Sequence, residues 1–310
     1  MMSNFLLAFH LAVVLIAPIY VIGIINRVKS LWAGRRGPRL NQFWFDLVRL
    51  LRKTPVYSQV TTWIFPIAPL VILATTATAS LLGPIAPGYA PLGFPCDFVA
   101  FAYILGLGKI FLMLGALDTG SAFEGMGASR EATYSALAEP VFLLGLGTLA
   151  WASGTPSFQD LVVPQGSFAM NTVLRVTFAG AMFVVLLIES SRVPADDPTT
   201  HLELTMVHEV MILDHSGPEL AMVQYASAMK MTKFAGIIAA VLNPYTATSH
   251  PLLAVLFSAA IIVLIAIAVG LIESLVARLR FRALPLFTFA AFMAVLVALV
   301  VVTANQGDFQ

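Results

Sequence analysis

Apolar runs of about twenty residues, broken by short polar stretches, fill most of the chain. A helix needs roughly 20 apolar residues to cross a bilayer. Eight stretches meet that length: about 3–25, 62–83, 97–117, 133–151, 170–190, 219–242, 252–276 and 284–304. The sixth is the weakest, because Glu219, Lys230 and Lys233 interrupt it. Pro18, Pro66 and Pro69 fall inside spans and predict kinks whose freed backbone groups neighbouring helices re-satisfy. Residues 41–53 follow another pattern. At 100° per residue Phe43, Trp44, Leu47, Val48, Leu50 and Leu51 share one face, while Gln42, Asp46, Arg49, Arg52 and Lys53 take the other and Phe45 is out of place. The pattern predicts an all-α polytopic membrane protein of about eight transmembrane helices, with an amphipathic interfacial helix in the first loop. No linker, low-complexity segment or internal repeat divides residues 1–310, so one integral membrane domain is expected.

Composition agrees: 59% of residues are hydrophobic, 11% are charged, and the mean hydropathy is +0.90. These values exclude a soluble enzyme. The first apolar run has neither a basic leader nor a small-residue cleavage pattern, so a retained span is expected. Cys96 is the single cysteine. The chain therefore cannot close an internal disulfide or hold an iron–sulfur cluster, which needs about four thiolates. The net charge of +1 matters less than its distribution. Arg27, Lys29, Arg35, Arg36, Arg39, Arg49, Arg52 and Lys53 lie in the first loop, Arg130 in the third, Arg192 in the fifth, and Arg278, Arg280 and Arg282 in the seventh. The even loops and both tails have none. By the positive-inside rule the odd loops are cytoplasmic and both termini lie outside a cytoplasmic (inner) membrane.

Lys109, Glu139, Arg175, Glu189, Lys230, Lys233 and Glu273 fall within predicted spans. An ion at the bilayer centre costs about 2.5–3.5 kcal/mol, less near the ends. Four deep ions (Lys109, Glu139, Lys230, Lys233) facing lipid would cost on the order of 10 kcal/mol, so they must face one another, water or a partner. Glu219 and Lys230, eleven residues apart, fall on one helical stripe. Two readings stay open: a proton or ion path, or static salt bridges that set helix register.

The densest polar stretch runs from Glu189 to His215, with six of the sixteen acids and three of the five histidines. It alternates its charges with Leu202, Leu204, Met206, Val207, Val210, Met211 and Ile212, which a merely solvated loop does not need. His201, His208 and His215 recur every seven residues, which on a helix would give one face but a rise of about 10.5 Å per step, too far for a common metal. His208-Glu209 fails the zinc motif H-E-x-x-H because the fifth position is Ile212. With no phosphate loop, dinucleotide fingerprint or nucleophile constellation, no active site of its own is expected.

With these residues in view, the chain resembles the NADH dehydrogenase subunit 1 family, a family of membrane subunits of respiratory complex I. Three segments carry the match: Arg36-Gly37-Pro38-Arg39 followed by Gln42 and Asp46; Gly127-Ala-Ser-Arg130 with Glu139 nine residues later; and Glu189-x-x-Arg192-x-Pro194-x-Asp196 followed by Pro198 and Glu203. Complex I members usually continue the third motif as P-F-D-L-P-E-x-E-x-E. Here Ala195, Asp197, Thr199 and His201 replace the Phe, the Leu and the first two acids. The run from Asp196 to Glu209 instead resembles the branch found in group 4 membrane-bound NiFe hydrogenases and formate hydrogenlyase.

The resemblance implies a membrane anchor and coupling subunit of an energy-converting hydrogenase or formate-hydrogenlyase-type complex. Implied partners are the hydrogenase large and small subunits, an iron–sulfur subunit and antiporter-like membrane subunits, beside the lipid bilayer; no nucleic acid is involved. The NiFe centre and iron–sulfur clusters would sit in those partners, with no cofactor in this chain. Arg36, Arg39, Arg130, Arg192, Asp196, Asp197, His201 and His208 would dock the soluble arm. Lys109, Glu139, Glu189, Glu203, Glu209, Glu219, Lys230 and Lys233 would carry protons or the electrostatic coupling. The alternatives are a quinone-pocket subunit of complex I, a related complex whose arm has lost its nickel site, and a stand-alone secondary ion transporter. The last would show paired broken helices in inverted halves, and that pairing is not visible in the sequence.

Overall fold

A computed structural model describes residues 2–163, 168–196, 206–277, 279 and 283–307. Among the described residues the chain is helical, with no strand beyond the isolated bridge Ala86–Tyr89. Seven helices are long and apolar enough to cross a membrane: α4 (Ile64–Leu82), α5 (Asp97–Asp118), α6 (Ala122–Ser153), α8 (Phe168–Glu189), α10 (Gly217–Leu242), α11 (Pro251–Leu275) and α12 (Leu284–Gly307). A further pair, α1 (Met2–Leu15) and α2 (Ala17–Trp32), passes the same test only together and meets at 49°. Pro18 sits in the first turn of α2, where the missing N–H costs nothing, so a new helix starts there. Short helices α3 (Gln42–Leu51), α7 (Phe158–Leu161) and α9 (His208–Met211) fill the loops.

The weakest span in the sequence is the centre of the bundle. Of the apolar window of α10, 78% is buried, against 22% for α12. α10 packs against α1, α2, α3, α4, α8 and α11. Charged residues interrupt its hydropathy because protein, not lipid, surrounds it. The apolar core around it includes Phe101, which meets Phe142, Phe158 and Phe234 with centroids 5.5–6.2 Å apart. The periphery is apolar on its outer face: Tyr103, Leu107, Ile110 and Leu117 on α5, and Leu286, Phe289, Val297 and Val300 on α12, are all exposed, as lipid requires. Close helix contact at α2–α11 depends on Gly270, where an added Cβ would lie 2.9 Å from the Val28 side chain.

Two elements differ from the sequence expectation. α6 begins eleven residues before the predicted span, because its first turns carry Glu124, Arg130 and Glu131, which depress hydropathy although both acids are buried. The histidine heptad is not one helix face. α9 covers only His208–Met211, His215 lies in the turn before α10, and His201 lies outside the described residues. The first-loop helix forms as α3, with Leu47 buried against α2 and α10 and Trp44, Phe45 and Leu51 exposed.

Candidate functional site

The buried charges of α5, α6, α8 and α10 converge on Glu189. That residue ends α8, so its side chain reaches into the bundle where the helix stops. Its Oε1 accepts from Lys109 Nζ at 2.5 Å, and Lys230 Nζ lies 3.5 Å from Oε2. Lys109 also donates to Ser135 Oγ at 3.0 Å and lies 4.0 Å from Glu139. Glu131, Ser135 and Glu139 recur every four residues on α6 and form one stripe beside the lysines. Glu131 is 6% exposed, feels Lys109, Lys230, Glu189 and Asp196, and among the described residues has no hydrogen-bond partner for Oε2. Three carboxylates thus face two ammoniums. Glu139 is the outlier: its side chain is 52% exposed, on a cleft of about 20 Å³ lined by Ala102, Gly106 and Lys109, room for a single water.

A second charge group lies towards the basic loops. Glu273 of α11 bridges Lys29 of α2 at 2.8 Å and Arg192 at 3.1 Å, with its own side chain fully buried. Arg192 then faces a cavity of about 400 Å³ together with Phe43, Asp46, Arg49, His208 and Glu209. Asp46 and Arg49, on the polar face of α3, form part of its wall and pair at 3.0 Å. Burial lifts the Glu209 carboxyl above its ordinary range, against the pull of Arg192. Burial, helped by Lys230 and Arg192, holds His208 at a pKa of about 3, so it is neutral at working pH.

The remaining site candidates are spread around these two groups. Asp196 Oδ2 accepts from Val207 N (3.0 Å) and His208 N (3.2 Å), so it caps α9 and ties the chain on either side of residues 197–205. Arg130 donates to Met206 O at 3.3 Å and props the same segment. Arg36 and Arg39 are exposed. Asp197, His201 and Glu203 lie outside the described residues. Glu219 is not joined to Lys230: eleven residues raise it about 16 Å along α10. It accepts instead from Tyr57 Oη at 2.5 Å and contacts His215 Nδ1 at 3.3 Å, while His215 stacks on Phe65. Lys233 is also apart, held by the carbonyls that end α4. Among the described residues, no three His, Cys, Asp or Glu side chains converge as metal ligands.

Sequence reasoning misses Glu131 as a cluster member, and Lys29 and Glu273 as the pair that anchors Arg192. The four-residue spacing of Glu131, Ser135 and Glu139 is a usable signal. The Glu273 contacts have none, because they join residues far apart in the chain.

A sequence profile described as NADH dehydrogenase matches residues 5–304. The chain belongs to the NADH dehydrogenase family. Similar members of known description are formate hydrogenlyase subunit 4 of Escherichia coli strain K12, 27% identical over 87% of this chain and 89% of that protein, and hydrogenase-4 component C of the same organism, 26% identical over 93% and 92%. A subunit of the NADH-quinone oxidoreductase of Rubrobacter xylanophilus is 26% identical over 66% of this chain and 62% of that protein. The fold is shared with a chain of the membrane-bound sulfane sulfur reductase, an archaeal respiratory membrane complex, at a TM-score of 0.75 and 18% identity, over 96% of this chain and 99% of that one. In this family member the motif residues Glu189, Arg192, Pro194 and Asp196 form the turn that joins the two charge groups: Glu189 enters the bundle cluster, and Arg192 turns to Glu273 and the cavity.

Proposed function

We propose that this chain is the membrane anchor and coupling subunit of an energy-converting hydrogenase or formate-hydrogenlyase-type complex. The observation that carries the reading is Glu139. A carboxylate near the middle of α6, half open on the flank of the bundle and continuous with buried Lys109 and Glu189, cannot be covered by lipid at tolerable cost. Cover by a polar membrane partner removes that cost. An antiporter-like subunit fits, because the cluster then continues from one subunit into the next. Relatives described as formate hydrogenlyase and hydrogenase-4 subunits support the hydrogenase branch. The cavity, with Arg192, His208 and Glu209 on its wall, is where the soluble arm seats, and its NiFe and iron–sulfur centres lie in that arm. Redox events there bias Arg192 and, three residues away, Glu189.

Glu139→Gln and Lys230→Met test this in the assembled complex. Each should depress coupled activity while leaving subunit abundance and the artificial-dye activity of the arm nearly intact, since Glu189 keeps its 2.5 Å contact with Lys109 in both variants and no ion is stranded. Both changes remove charge at similar volume, so packing loss is small. Static salt bridges predict poor accumulation instead, by an amount reflecting roughly 3–5 kcal/mol. Normal coupling and abundance for both variants would remove these residues from any ion path.

Orientation is part of the proposal: the basic loops and the cavity face the cytoplasm, in the inner membrane, with both termini outside. A cysteine at Asp160 in a Cys96→Ser background should react with an impermeant thiol reagent added to intact cells, and one at Arg39 only after the membrane is opened. Labelling of position 39 from outside would reverse the orientation.

One second reading has an observation in its favour. A cavity of about 400 Å³ would accept a quinone headgroup, and a subunit of an NADH-quinone oxidoreductase is a relative. Its wall mixes the charged Asp46, Arg49, Arg192 and Glu209 with Ile22, Phe43, Leu50 and Leu220, which suits an amphipathic protein segment as well as a quinone ring. Electron delivery to a soluble quinone by the assembled complex separates the two.

A further inference from the structure

Lys233 is a buried cation that the cluster leaves unused. It is 4% exposed and, among the described residues, has no acid within ion-pair distance. Its Nζ donates to Ser80 O at 2.9 Å and to Gly83 O at the end of α4. α4 carries no basic residue in its own last turn, so a side chain from α10 supplies the cation at that helix terminus. The room is made by Gly83, where a Cβ would lie 2.7 Å from Lys233 Cε. His10 of α1, 1% exposed, approaches the same acceptor: its Nε2 lies 2.8 Å from Ser80 O. A carbonyl only accepts, so in the neutral ring Nε2 carries the proton and Nδ1 is the open basic atom. Beyond His10 the ring of half-buried Tyr89 stands edge-on at 6.4 Å, in the loop that follows α4 on the side away from the basic loops. Lys230 and Lys233 are three residues apart on α10, adjacent on one face. Two helices, α10 and α1, therefore place titratable nitrogens in steps from the central cluster towards the far side, with the end of α4 supplying the carbonyls between them.

We propose that Lys233 and His10 are the outlet stage of the ion path, passing protons from the Glu189–Lys230 cluster to the face opposite the basic loops. This rests on the reading of the cluster as an ion path. In the ring tautomer that carries its proton on Nδ1, reached by a ring flip, an N–H bond breaks at the Lys233 ammonium and one forms at His10 Nε2, the nitrogen that shares the Ser80 carbonyl with Lys233. The imidazolium then gives one proton to water on the far side, and the Lys233 amine regains one from the cluster. One proton enters for each that leaves, so no net charge accumulates in the core. A purely structural lysine and histidine would need only to donate hydrogen bonds to Ser80 and Gly83, which a non-titrating donor does as well.

That difference is testable in membrane vesicles holding the whole complex. His10→Gln keeps an N–H donor of similar reach for Ser80 O but cannot carry a proton; Lys233→Met removes the ammonium. The rate of proton movement during electron transfer is read with a pH-sensitive dye, beside subunit abundance. His10→Gln should accumulate as wild type yet move protons on the order of a hundredfold more slowly, the lower range for loss of a proton-transfer group. Lys233→Met should show the same loss where it accumulates. Wild-type proton movement in His10→Gln would overturn the outlet, whether or not Lys233→Met folds. Glu139→Gln run in parallel distinguishes the failures. If it loses proton movement while His10→Gln does not, the outlet alone is wrong; if neither loses it, the path itself is wrong.

Discussion

Glu189→Gln should abolish coupled turnover and cut subunit abundance. Glu189 is 6% exposed and meets two ammoniums, Lys109 at 2.5 Å and Lys230 at 3.5 Å. Neutralising it strands both in a bundle core. Breaking one buried pair costs about 3–5 kcal/mol, a large part of the stability of a typical domain. Glu131 and Glu139 compensate incompletely, since Glu139 lies 4.0 Å from Lys109 and half outside. The double variant Glu189→Gln with Lys230→Met removes one stranded cation and should recover abundance, but not coupling. Quantitative immunoblotting beside coupled and dye-linked activity measures both. If the single variant accumulates and couples normally, Glu189 is neither a structural nor a conducting hub.

The sequence shows most of the helices because lipid imposes a length and an apolar composition that any window detects. It fails where protein replaces lipid. α10 looks doubtful because Lys230 and Lys233 interrupt it, yet those charges mark the most enclosed helix of the bundle. The early turns of α6 look like loop for the same reason, with Glu124 and Glu131 buried against neighbouring elements. Hydropathy reads a charge as water-facing and cannot see the counter-charge on another helix.

The candidate site is legible residue by residue but not in its grouping. Lys109, Glu139, Glu189 and Lys230 follow from the rule that intramembrane ions must be paired, and they do meet. Glu219 falls with Lys230 on a correct helical angle, but angle ignores rise, and Tyr57 and His215 claim it on another level. Lys233 satisfies the same rule with backbone carbonyls, which carry no sequence signature. The evenly spaced histidines suggest one face, but the chain turns after Met211, so the spacing has no structural meaning there.

On the proposed docking of a soluble arm at the cavity, Arg192→Ala should strip that arm from the membrane, and Glu273→Gln should do so through Arg192. Arg192 faces the cavity and is held there by Glu273 Oε1 at 3.1 Å; the same carboxylate is fully buried and held on its other oxygen by Lys29 at 2.8 Å. Losing one partner of a desolvated charge pair at an interface costs about 2–5 kcal/mol, roughly thirtyfold to several thousandfold in affinity. The chain itself should still insert, because no span changes. Co-purification of the arm with the membrane subunit reads the loss directly. Lys29→Met supplies the control, since Lys29 is 25% exposed and its removal leaves the Arg192–Glu273 pair in place. If Lys29→Met releases the arm as completely as Glu273→Gln, the buried acid needs cations for the stability of the bundle, and Arg192 has no special part in docking. If Lys29→Met keeps the arm while the other two lose it, the guanidinium held at the cavity wall is the contact that matters.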